Sequence, residues 1–101
     1  MSNRIFSKSL TGKTTILPLP ENATPLSIFD ANKHGKRDFE IAVTFAGSDK
    51  EHAVQRTFLV LREGDELPEV ECEFIGSIEC TDYTAGAVAL MRHVFEQKGE
   101  S

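Results

Sequence analysis

The sequence predicts an all-β chain, a small antiparallel sandwich or barrel, on three observations. Phe39, Ile41, Val43 and Phe45 alternate with Glu40, Ala42, Thr44 and Ala46, the period of two expected when successive side chains point to opposite faces of a strand. Val54 to Arg62 is apolar on both faces around Phe58-Leu59-Val60-Leu61, as a central strand would be. Short apolar pieces recur along the whole chain at close spacing, with turn residues between them.

Each element follows from local chemistry. Arg4 to Leu10 reads as a strand stopped by Thr11-Gly12. Thr14 to Leu17 resumes it, and Pro18 and Pro20, which donate no backbone hydrogen bond, end it or confine it to a sheet edge. Leu26 to Ala31 is another short piece, followed by the polar loop Asn32-Lys33-His34-Gly35-Lys36. The two clear strands come next, separated by a charged loop from Gly47 to His52, and Glu63-Gly64-Asp65 turns the chain. From Val70 the even positions Val70, Cys72, Phe74, Gly76, Ile78 and Cys80 read as one core-facing side. Ala87 to Gln97 fits either structure: a strand puts Met91, His93 and Phe95 on one face, a helix Val88, Met91 and Phe95. The helical alternative would make the fold α+β with a C-terminal helix.

With 101 residues the chain is expected to form a single domain, 1–101, with a frayed tail at 98–101. Leu, Ile, Val and Phe make up roughly a quarter of it, enough to support a core. No apolar run approaches the length of a membrane span, and the N-terminus lacks the apolar stretch of a secretion signal, so a cytoplasmic location is expected. Cys72 and Cys80 are expected as free thiols.

Charge is distributed unevenly. Residues 1–62 hold nine Lys/Arg against six Asp/Glu, whereas residues 63–82 hold eight carboxylates and no basic side chain. The net charge of −5 argues against direct binding to a phosphate backbone. If Glu69 to Phe74 is a strand, Glu69, Glu71 and Glu73 share one face and Val70, Cys72 and Phe74 the other. Such a row is either a solvated face that protects an edge strand, or a surface spaced to imitate nucleic-acid phosphates.

Catalytic chemistry finds little support. His34, His52 and His93 have no ligand spacing, Cys72 and Cys80 form no tight Cys-x-x-Cys pair, and neither thiol has a nearby His or Lys that would lower its pKa. His93, among Met91, Val94 and Phe95, reads as a hydrogen-bonded core or rim residue. Gly12-Lys13-Thr14 resembles the end of a phosphate loop, but Lys8 stands where its first glycine belongs. No metal, cofactor or enzymatic activity is expected.

The order of several short pieces is informative. They are Lys8-Ser9-Leu10, Leu19-Pro20-Glu21-Asn22-Ala23, Leu26-Ser27, Arg56-Thr57-Phe58, Val60 with Gly64 and Leu67-Pro68, Phe74-Ile75-Gly76-Ser77 and His93-Val94-Phe95-Glu96. Together they resemble a family of small, uncharacterised, β-rich proteins encoded by bacteriophages and prophages, which end in a glycine-led strand and His-Val-Phe. The resemblance implies a strand for Ala87 to Phe95 and a bacterial host cell as the setting. It also allows a loop where the glutamate repeat before Phe74 falls, and it supplies no catalytic residues.

The leading functional expectation is a non-enzymatic anti-defence or inhibitor protein that binds a host protein, a nucleic-acid-handling or defence complex. Asp65, Glu66, Glu69, Glu71, Glu73, Glu79 and Asp82 would form its acidic face. One alternative is a nucleotide-sequestering binder, with Arg4, Lys8, Lys33, Lys36, Arg37 and Arg56 as the available cations. Another is a structural or accessory β-domain of a virion. Exposed strand edges make a homodimer a reasonable expectation.

Overall fold

A computed structural model describes residues 3–31, 40–48, 52–82 and 88–98, and the described residues form seven strands and no helix. The strands are β1 (Arg4–Leu10), β2 (Thr14–Pro20), β3 (Thr24–Asp30), β4 (Ile41–Gly47), β5 (Ala53–Leu61), β6 (Cys72–Asp82) and β7 (Val88–Gln97). They form two antiparallel sheets, ordered β1-β4-β3 and β2-β5-β7-β6, packed as a sandwich rather than a closed barrel.

The period of two in β4 sets the centre of the three-stranded sheet. Ile41, Val43 and Phe45 are fully buried, and Ala42, Thr44 and Ala46 face the other way. Across the sandwich β5 contributes Phe58 and Val60, and Phe45 meets Phe58 edge-on with ring centroids 5.6 Å apart. Leu10, Leu19, Cys80 and Val94 complete the shared core, with Phe6 stacked on Phe45. The C-terminal segment is a strand because both its sides are used: β7 pairs with β5 on one side and β6 on the other. Met91, His93 and Phe95 do share one face.

Two irregularities decide which side chains face outward. Pro18 lies within β2 and Pro20 is its last residue, both on the sheet edge that tolerates a missing N–H. In β6 the register with β7 shifts between Phe74 and Gly76, a bulge that places Ile75 as an extra residue. The bulge reverses the parity of the strand, so the even positions do not form one core-facing side. Ile75, Ile78 and Cys80 pack toward the core, whereas Phe74 is 55% exposed and meets Phe95 on the outer face at 5.3 Å. Glu73 and Glu79 therefore point to opposite faces.

Gly64 and Gly47 are required for different causes. Gly64 has a φ of 92°, the left-handed region that suits the turn after β5. Gly47 ends β4 against the β2–β3 turn, where a Cβ would stand 3.0 Å from the Ala23 Cα. At one side of the sandwich β3 approaches β6, with Ile28 over Gly76. At the other side the edges of β1 and β2 face each other across an open groove.

Candidate functional site

β5 and β6 run parallel with β7 between them, so residues 62–71 must cross from the end of one to the start of the other. This crossover is the acidic window of the sequence. It is fastened at both ends. The Arg62 N–H donates to Asp65 Oδ2 at 2.9 Å, and the Asp65 N–H returns to the Arg62 carbonyl at 3.0 Å. The Arg62 N–H holds the Asp65 carboxyl below its ordinary pKa of 3.8. Glu63 Oε1 lies 2.9 Å from His93 Nε2, and His93 Nδ1 lies 2.6 Å from Ser77 Oγ. At the far end the Lys98 N–H donates to the Glu71 carbonyl at 2.7 Å, so Lys98, expected in a frayed tail, is tied to the sheet.

Between these anchors Glu66, Leu67, Pro68 and Glu69 are exposed. Leu67 is 58% exposed, and the crossover spans the face that also carries Phe74. Leu59 and Leu61, on that outer side of β5, are nonetheless buried. The result is a surface of free carboxylates interspersed with two large apolar side chains. None of Glu66, Glu69, Glu71, Glu73 or Glu79 has an ion-pair partner among the described residues.

The expected row of Glu69, Glu71 and Glu73 on one strand face is corrected. β6 begins only at Cys72, Glu69 sits in a bend, and Glu71 ends the crossover with its carbonyl bonded to the Lys98 N–H. Asp65 is the turn's internal acceptor. Asp82 ends β6, and its side chain lies outside the described ones.

Among the described cations of the nucleotide alternative, Arg56 is held apart from Arg4 and Lys8. Arg4 and Lys8 stand on β1, and Lys33, Lys36 and Arg37 lie outside the described residues. Arg56 is taken up by the fold. Its Nε and Nη2 donate to Glu96 Oε2 and Oε1 at 2.6 and 2.8 Å, and its Nη1 donates to the Ala23 and Pro20 carbonyls at 2.7 and 3.4 Å. Lys98 Nζ adds a second cation 3.3 Å from Glu96 Oε1. Burial pushes the Glu96 carboxyl up, but the Arg56 hydrogen bonds and charge outweigh it and hold the pKa below 4.5. Three of the short sequence pieces noted above, around Pro20–Ala23, Arg56–Phe58 and His93–Glu96, thus meet at one buried ion pair. Their job here is to join β5, β7 and the β2–β3 turn.

Lys13, Arg62 and Arg92 line a hollow of ≈ 220 Å³ at the end of the sandwich with Asp65, a grouping the sequence does not announce. They come from three separate elements, and no local pattern links them. Cys80 is buried, its thiol pushed up by that burial, and Cys72 lies on the opposite face of β6. Both are free, and no metal-holding group of His, Cys, Asp and Glu occurs among the described residues. Among the described residues no helix is long and apolar enough to cross a membrane.

No protein-family model, curated protein or solved structure matches the chain.

Proposed function

We propose that the protein is a non-enzymatic interaction module of the phage or prophage type, whose acidic crossover docks on a basic, partly apolar surface of a host protein that handles nucleic acid. One observation carries this reading: a segment anchored at both ends presents Glu66, Glu69 and Glu71, unpaired among the described residues, beside exposed Leu67. A solvated face needs the carboxylates but gains nothing from Leu67 and Phe74. A docking surface uses both, the charge for encounter and orientation and the apolar groups for buried area. A cationic groove built to hold phosphates offers the complementary charge.

Anchoring matters energetically. A free acidic tail would lose chain entropy on binding, whereas a crossover held by the His93–Glu63 and Lys98–Glu71 contacts is already ordered. The steered encounter should weaken as salt rises.

Capture from nuclease-treated bacterial lysate tests the reading, with the triple variant Glu66→Lys, Glu69→Lys, Glu71→Lys alongside. The expected result is a stoichiometric partner that the variant fails to retain and that elutes with moderate salt. Equal capture by both proteins would reject the acidic crossover as the docking surface.

A further inference from the structure

The two sheets have four edges, and three of them are blunted. β2 carries Pro18 and Pro20. β3 carries Pro25 and a register shift before Ser27. β6 carries the bulge at Ile75 together with Glu73 and Glu79. β1 has no proline and no bulge; all seven of its residues keep regular register with β4 on one side. On the other side no described strand pairs with it. Its open edge offers a row of backbone donors and acceptors, which only another extended chain can satisfy along their whole length.

The side chains state which chain. Phe6 and Leu10 face the core, so Arg4 and Lys8, at the same parity, are directed to the inner side at the edge. They flank Phe6 and, with Pro18, Leu19 and Pro20 of β2, line an open groove of ≈ 420 Å³. Both are exposed, and neither has a carboxylate partner among the described residues. A second copy of β1 would bring like charges together, so the arrangement disfavours self-pairing. An acidic strand meets no such penalty.

We propose that β1 is a strand-addition site for an extended acidic peptide segment of the pattern acid-x-apolar-x-acid. The peptide continues the three-stranded sheet. Its two carboxylates meet Arg4 and Lys8, four residues or about 13 Å apart along the strand, and its central apolar side chain enters the groove over Phe6 and Leu19. The two intervening positions of the peptide face outward beside Ile5 and Ser7 and carry little specificity. This site lies on the opposite edge from β6 and is independent of the acidic crossover.

Fluorescence anisotropy with a labelled, end-capped peptide containing Glu-Thr-Leu-Thr-Glu tests it. Saturable binding is expected, with at least tenfold loss for Lys8→Glu and for the peptide with Gln in place of both Glu. Two peptides N-methylated at alternate residues separate a backbone ladder from a charge contact: one should lose binding and the other keep it, because only alternate N–H groups face the edge. Circular dichroism establishes that Lys8→Glu stays folded. Absence of saturation up to about 1 mM peptide, equal binding of the Gln peptide, or equal binding of both N-methylated forms would overturn the proposal. A dimer in sedimentation that Lys8→Glu dissolves would assign the edge to a second copy and also overturn it.

Discussion

At the Arg56–Glu96 pair both carboxylate oxygens and all three guanidinium nitrogens have protein partners, whereas the carboxylates of Glu66, Glu69 and Glu71 have none among the described residues. The first cluster is buried and bidentate, the second exposed and strung along a crossover. Charge taken out of water has to be matched within the fold, because an unmatched buried charge costs several kcal/mol. Charge left in water costs the fold almost nothing and stays available to a partner. The two regions should therefore separate stability from binding: disturbing one unfolds the protein, and disturbing the other leaves it folded and unable to dock.

The largest effect is expected at Arg56. Arg56→Ala leaves buried Glu96 with only the half-exposed Lys98 and frees the Pro20 and Ala23 carbonyls, and should cost about 3–5 kcal/mol in urea unfolding. Replacing Arg56 and Glu96 together by Met should cost less than that single change, since no uncompensated charge remains. Gly47→Ala comes next. Its new Cβ would press on the Ala23 backbone, so a loss of about 1–3 kcal/mol is expected in thermal unfolding.

Acid should expose the same pair. Glu96 has its folded pKa held below the ordinary 4.5, so its stabilising contribution is present above 4.5 and disappears as pH falls through the folded value. A Glu96→Gln variant, less stable at neutral pH, should show a flatter decline in unfolding free energy over that acidic window. His93→Ala removes the ties to Glu63 and Ser77 and should cost about 1 kcal/mol. At the bottom of the scale, reversing Glu66, Glu69 and Glu71 to Lys should shift stability by no more than about 0.5 kcal/mol.

Much of this architecture is legible locally. The alternation in β4 marks a half-buried strand and the unbroken Phe58–Leu61 run a central one, because burial on one or both faces writes directly into composition. Pro18 and Pro20 signal an edge, and Pro20 is the last residue of the strand. The segment 88–97 is ambiguous because its apolar spacing satisfies both periods; pairing with β5 and β6, distant in sequence, makes it a strand. The bulge at Ile75 is invisible because one inserted residue leaves the composition unchanged while reversing which side of β6 faces the core. That reversal, and the start of β6 at Cys72, break the expected row of glutamates. Arg56 and Glu96 are forty residues apart, and nothing near either one announces the other. A cation expected to be available for phosphate is instead engaged at all three guanidinium nitrogens.

The most direct test measures one protein twice: the triple variant Glu66→Lys, Glu69→Lys, Glu71→Lys is compared with the parent in urea unfolding and in capture of a partner from bacterial lysate. The account predicts unfolding curves that nearly coincide and a partner retained by the parent alone. A variant that still captures the same partner, with the same salt dependence, would contradict it.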